Sequence, residues 1–330
     1  MNMNFKIFSA IAFSLLTIGT ANAADINLSK CVGMITKTMS DNAKVTFWGY
    51  GTGGGMGGCT AALPSAPVEV GVGDTLNLTL SINGMTPQEA APYNGHTIHL
   101  HGADVPTSED GVPETGAAVT GDTYTFTPTN KMYGSYMYHC HVHTVKHLEM
   151  GMYGALIVRP KDANGNFLKQ ITASTATAYD YEQIYLFSTV DPTYHTDSAI
   201  QDSAVFADYN PKYYLITGAE GIFMAAPAIT LAAAVNKKVA LRLIGLHSVN
   251  GVFEIKDASG SAKQFTVYTE DGRALATPLS GLTSLDISPG QRFDIIFTTP
   301  ATDGTWYPQI TYKKLRDGAA YATAYGKVTF

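Results

Sequence analysis

One stretch limits this chain more than any other: Tyr136-Met137-Tyr138-His139-Cys140-His141-Val142, followed by His143, His147, Met150 and Met152. It reads as a strand, and side chains on a strand alternate between faces. Tyr136, Tyr138, Cys140 and Val142 share one face, which is apolar apart from a thiol and so predicts a core. Met137, His139 and His141 share the other, where imidazoles two residues apart suit a pair of metal ligands. The stretch His96-Thr97-Ile98-His99-Leu100-His101-Gly102 repeats the arrangement. His96 is in phase with Ile98 and Leu100, while His99 and His101 face the other way. Each strand gives one donor inward and two outward. That predicts two metal sites back to back, bridged by His139-Cys140-His141.

The inward site needs two donors beyond His96 and Cys140. A thiolate with two imidazoles and a long, weak thioether makes a blue-copper electron-transfer site, because thiolate is soft and imidazole borderline. His147 and Met152, five residues apart, supply the remainder. His143 competes for the imidazole place, although the residue five beyond it is Leu148, and Met150 competes for the axial place. Cys/His sets also suit zinc, but two outward His-x-His pairs with a His–Met terminus fit copper better.

These motifs, with Asp110-Gly111-Val112-Pro113 and His147-Leu148-Glu149-Met150-Gly151-Met152, resemble the copper motifs of multicopper oxidases, the laccases and their relatives, over most of residues 45–160. The resemblance implies that His96, Cys140, His147 and Met152 bind type 1 copper. It makes His99, His101, His139 and His141 ligands of a type 2/type 3 copper centre. The Cys140-to-His147 spacing is more like that of two-domain laccases and copper nitrite reductases than of three-domain laccases.

The rest of the chain fits an all-β protein. Strand-like runs recur from Lys44 to Val158, separated by turns such as Gly73-Asp74, Asn83-Gly84 and Gly121-Asp122. With the resemblance, they imply two tandem cupredoxin-like Greek-key β-sandwich domains, at residues 24–160 and 179–330, joined by a linker at 161–178. The second is expected to lack a type 1 site, since it has no cysteine and only His195 and His247. Met1 to Ala23 reads as a secretory signal: Lys6, an apolar run, then Ala21-Asn22-Ala23. That predicts a periplasmic or secreted protein with no membrane span once mature. Export permits disulfides, and with Cys140 assigned to metal, Cys31 and Cys59 form the expected pair. The formal charge of −6 argues against nucleic acid. The glycines of Gly51 to Gly58 lack the Lys and Ser/Thr of a phosphate cradle.

Function is bounded by an imidazole count. A complete trinuclear cluster in the resembled family uses eight imidazoles, four from each of two facing domains, whereas this chain supplies four. The missing donors are expected from another subunit of a homo-oligomer, a trimer being favoured, or the full cluster does not form. The expected activity is that of a multicopper oxidase. Single electrons from a small reducing substrate or redox protein enter at the type 1 copper and pass through His139-Cys140-His141, and dioxygen is reduced to water. The alternatives are a copper nitrite reductase, in which His101, His139 and His247 from a neighbouring second domain would hold a type 2 copper, or a blue-copper electron-transfer or copper-handling protein. Asp104, Glu109 and Asp110 are candidate proton relays beside the alternative of surface carboxylates, and Glu149 is expected to be solvated.

Overall fold

The structure is a computed structural model that describes residues 23–53, 58–81, 95–116, 122–196, 209–223 and 229–330. The expected leader, apart from Ala23, lies outside the described residues, as do the Asn83-Gly84 turn and the centre of the glycine-rich loop.

The first half builds two packed sheets. Strands β1 (Asp25–Thr38), β2 (Lys44–Gly53), β3 (Cys59–Ala61), β4 (Ser65–Gly71), β5 (Thr75–Ser81), β6 (His99–His101), β7 (Thr123–Phe126), β8 (Gly134–His139) and β9 (Tyr153–Arg159) are joined by loops and one short helix, α1 (Thr144–Glu149). One sheet runs β3-β2-β1-β5-β7 and the other β4-β9-β8-β6. In β5 the alternation is plain: Leu76, Leu78 and Leu80 are buried between half-buried polar neighbours. Leu76, Leu78 and Leu80 meet Tyr136, Tyr138, Leu156 and Val158 from the opposing sheet in one core, which also contains Cys140 and Met152.

Strands β8 and β9 are buried at every position, because both of their faces are covered. Tyr136 and Tyr138 face the core of their own sandwich. Met137, Tyr153, Ala155 and Ile157 face a second cluster with Leu186, Ile244 and Leu246 from the other half of the chain. The outward face that alternation assigned to Met137 and His139 is therefore an interdomain face.

The second half forms a seven-stranded sheet around the parallel pair Tyr181–Val190 and Lys238–Gly245, and a six-stranded sheet centred on Asn250–Asp257 and Thr305–Lys313. Between the halves, residues 161–178 fold back on themselves: Tyr179 N–H donates to the Lys169 carbonyl at 3.0 Å. Ile171 is fully buried against Ala240 and Ile296. The stretch expected as a linker is thus packed on the second sandwich.

A ladder of charges crosses the interface. Arg159 pairs with Glu69 at 2.8 Å and with Glu182 at 2.7 Å. Arg242, fully buried, pairs with Glu182 at 2.6 Å and with Asp294 at 3.2 Å. Asp294 in turn accepts the Ser135 N–H at 2.9 Å and its hydroxyl at 2.5 Å. Ser135 lies on β8, so the second half holds the strand that leads to His139 and Cys140. Gly134 has φ of 98°, and a Cβ there would meet the Asp294 carboxylate, so both the turn and the contact call for glycine.

Candidate metal centres

The inward site forms where β8 ends. Cys140 Sγ lies 3.0 Å from His147 Nδ1 and 3.8 Å from His96 Nδ1. All three residues are buried. His147 comes from α1, the helical turn between β8 and β9. His143 opens that turn in a left-handed conformation, φ 42°, and its side chain is exposed. Its ring lies 6.4 Å from that of His147. Among the described residues it is His96, Cys140 and His147 whose donor atoms gather within 4.8 Å, and His143 is outside that group.

Met152 is fully buried and tied to the same residues. Its N–H bonds the His147 carbonyl at 3.0 Å, and its own carbonyl accepts the Cys140 N–H at 3.1 Å. Met150 is buried too, and its carbonyl accepts the Trp48 N–H at 2.7 Å. Trp48, not singled out from sequence, packs edge-on to both imidazoles, with ring centroids 5.3 Å from His147 and 6.0 Å from His96.

Burial pushes the Cys140 thiol up to about 11, and backbone hydrogen bonding from Thr97 and Val142 only partly opposes this. Burial, with His96, His143 and Lys146 nearby, holds His147 well below the usual imidazole range. A neutral imidazole facing a buried thiol is a donor set that a soft cation completes by displacing the thiol proton. The donors present fit a type 1 copper.

The outward site lies across the β6–β8 pairing, where His99 stands opposite His139 and His101 opposite Met137. His99, His101 and His139 bring one nitrogen each within 4.8 Å of the others. His139 Nδ1–H donates to the Cys140 carbonyl at 2.9 Å, which leaves Nε2 facing His101 Nδ1 at 3.1 Å. His99 Nδ1–H donates to the Asp110 carbonyl at 2.7 Å, with the Asp110 carboxylate 3.2 Å away. Backbone or carboxylate partners on the far ring nitrogen are how proteins orient metal-binding imidazoles.

His141 falls outside that donor-atom group, although its ring is about as near as theirs are to one another. Its ring centroid is 5.1 Å from His99 and 5.9 Å from His139, and its side chain is 31% exposed. Thr97, also missed from sequence, holds the His141 N–H at 3.1 Å. Burial drives His139 down to about 3, against its bond to the Cys140 carbonyl and helped by the neighbouring imidazoles. Burial and the positive charge of Arg292 take His101 to about 4. Neutral nitrogens converging on one point also fit a copper ion.

These imidazoles open on a cavity of about 330 Å³ between the two halves. Its far wall is Gly245, Leu246, His247, Ser248, Pro289 and Gly290 of the same chain. His247 is the imidazole in that wall among the described residues; its Nδ1–H bonds the Val249 carbonyl at 2.5 Å. No His-x-His pair faces the cluster from the second half. The chain's own second half therefore lines one side of this cavity.

Of the carboxylates considered as relays, only Asp110 touches a cluster imidazole among the described contacts. Asp104 pairs with Arg273 at 2.7 Å, and Glu109 accepts the Thr125 N–H at 2.7 Å. Glu149, expected in solvent, is instead buried. Its neighbours from the second half, unreadable from local sequence, explain the difference. Cys31 and Cys59 are joined in a disulfide between β1 and β3. No helix among the described residues is long and apolar enough to cross a membrane.

Comparison with known proteins agrees with this geometry. The family model for multicopper oxidases matches residues 56–163. Copper-containing nitrite reductase of Neisseria meningitidis serogroup B is 32% identical over 132 residues, 38% of this chain and 28% of the relative. That of Neisseria gonorrhoeae is 31% identical over the same length, so the matched stretch is well under a third of either relative. The crystal structure of blue copper oxidase from Nitrosomonas europaea superposes with a TM-score of 0.68 at 20% identity, covering 92% of this chain and 85% of that one. Copper nitrite reductase from the same organism gives 0.63 at 17% identity, covering 93% and 94%. The chain has a cupredoxin, multicopper-oxidase-like fold, similar both to laccase-type oxidases and to copper nitrite reductases. It carries a His–Cys–His site and a second imidazole cluster, an arrangement consistent with copper-mediated electron transfer.

Proposed function

We propose that the chain is an exported two-centre copper oxidoreductase of the nitrite reductase kind. It takes single electrons from a small reductant or redox protein at the His96–Cys140–His147–Met152 site. It delivers them to a mononuclear centre on His99, His101 and His139, with His141 at its margin. The observation that carries this reading is the direct covalent succession of His139 and Cys140, each a donor of a different cluster.

Copper at the two centres would supply one-electron redox and Lewis acidity for NO₂⁻ + 2H⁺ + e⁻ → NO + H₂O. The chain's residues supply the rest. From the thiol, the bonds run through Cys140 to its own carbonyl, which accepts the His139 Nδ1–H at 2.9 Å. That hydrogen bond joins the two donor sets by a path shorter than the backbone alone. Asp110, half exposed and 3.2 Å from His99, stands between solvent and the cluster and can hold a proton there. Arg292 is buried, and a Cβ on Gly102, next to His101, would collide with its guanidinium. Its charge favours an anion in the adjacent cavity, whose 330 Å³ holds nitrite and several waters.

Dioxygen reduction is the second reading, favoured by His141 as a fourth imidazole and by the multicopper oxidase match. It requires several further imidazoles in a wall where this chain presents one, His247, among Gly245, Leu246, Pro289 and Gly290. Metal content with turnover separates the readings. About two coppers per chain with nitrite-dependent NO production supports the proposal, and three to four with oxygen uptake supports the oxidase. A blue protein with about one copper and no turnover is an electron carrier, and a colourless zinc protein refutes all three.

A further inference from the structure

Two titratable side chains behind the type 1 site belong to none of the chemistry above. Glu149 ends α1, two residues after His147, and its side chain is 1% exposed. His195, equally buried, comes from the second half, on the short turn Pro192–His195. His195 Nε2 lies 3.3 Å from Glu149 Oε1, and its Nδ1–H donates to the Thr46 carbonyl of β2 at 2.7 Å. Glu149 also accepts the Asp191 N–H at 2.7 Å and the Tyr209 hydroxyl at 2.9 Å. One residue before His147, Lys146 donates to the Tyr194 carbonyl at 3.0 Å.

The turn that makes these bonds is itself braced. Asp191 accepts from the Thr193 N–H at 3.0 Å and from the Asn210 N–H at 2.9 Å. It therefore grips α1 on both sides of His147. Through Thr46 and the His195 ring, 4.7 Å from Phe47, it also grips β2, whose Trp48 packs on His96 and His147. A carboxylate is costly to bury, and apolar packing alone would not call for one. What a fully bonded carboxylate adds is direction.

We propose that Glu149 and His195 are positioning residues for the type 1 site. Through them the second half, which has no thiol of its own, sets the placement of His147. The inference rests on His96, Cys140 and His147 holding copper.

The test uses the full chain loaded with copper, comparing the parent with Glu149→Ala, His195→Ala and the conservative Glu149→Gln. A control, Glu182→Gln, breaks an interdomain ion pair remote from α1. The alanine variants should weaken type 1 copper affinity roughly 10-fold, the low end of the range for groups bonded directly to metal-binding histidines, since these two act one contact further out. They should also change the thiolate-to-copper absorption pattern and the reduction potential. Glu149→Gln should restore parental spectra, and Glu182→Gln should lower the melting temperature with spectra unchanged. If Glu149→Ala does not fold, His195→Ala and Glu149→Gln carry the comparison. The proposal is overturned if folded alanine variants keep the parental spectrum, potential and affinity, or if Glu182→Gln shifts them as much. A parent chain that binds copper without blue colour defeats the type 1 reading itself, and the positioning role with it.

Discussion

Asp294 is the point where the second half of the chain holds the strand leading to both metal sites, and replacing it tests that arrangement. Its carboxylate is fully buried, faces the buried Arg242 at 3.2 Å, and accepts two hydrogen bonds from Ser135. It also accepts the Thr269 hydroxyl. Asp294→Ala leaves the Arg242 guanidinium with Glu182 as its remaining carboxylate and strands the Ser135 and Thr269 donors. Removing one partner of a buried pair costs about 3–5 kcal/mol, and each stranded donor adds about 1–3 kcal/mol unless water reaches it. Arg242 keeps Glu182 at 2.6 Å, which argues for the lower part of that sum. We expect about 4 kcal/mol for Asp294→Ala and about 2 kcal/mol for Asp294→Asn, which retains the shape and an acceptor for Ser135.

Urea unfolding reads this directly. With a slope of about 3 kcal/mol per molar, 4 kcal/mol moves the midpoint by a little over 1 M. The chain's two tryptophans, Trp48 and Trp306, fall one in each sandwich, so fluorescence of Trp48→Phe and Trp306→Phe backgrounds reports each half separately. Both reporters should shift together. If Asp294→Ala costs under about 1 kcal/mol, the buried pair is not what holds the interface. If only the Trp306 reporter moves, Asp294 serves its own sandwich and the link to β8 is refuted.

Three further outcomes follow from the same structure. Glu182 is desolvated, but Arg242 and Arg159 outweigh this and hold it at about 2, from an ordinary 4.5. A depressed carboxyl stabilises the fold above its unfolded value and loses that contribution as pH falls through its folded value. Stability on the order of 3 kcal/mol should therefore disappear between about pH 4.5 and 2, and less so in Glu182→Gln, as acid titration of the midpoint will show. The Cys31–Cys59 disulfide closes a loop of sequence separation 28, so Cys31→Ala/Cys59→Ala should lose about 3–4 kcal/mol in urea, with the midpoint unchanged refuting the loop argument. Cys140→Ser should abolish the blue absorption and turnover while circular dichroism stays that of the parent; a variant that keeps its colour removes the basis of both centres.

What the sequence disclosed, and what it did not, divides along one physical line. Residues whose roles follow from strand alternation could be placed: the inward set of His96 and Cys140 and the outward set of His99, His101 and His139 come together as that period requires. Strand β1 escaped notice because Lys30 and Gly33 are buried within it and break its pattern. Trp48 and Arg292 reach the sites from strands distant in sequence, and nothing local marks them; Thr97 lies inside the histidine motif, but its partner, the His141 N–H, is 44 residues on. Glu149 shows the same limit most sharply. Beside a ligand on a short polar helix it reads as a surface charge, and only the turn ending at His195, more than forty residues away, makes it an interior one.

The imidazole count bears on residues that are just as far apart in sequence. Four donors in one half imply partners elsewhere only if the cluster's open side faces another molecule. Here the cavity beside that side is lined by Leu246, His247 and Gly290 of the same chain. With that lining, the mononuclear reductase we propose calls for fewer further imidazoles than a three-copper oxidase does.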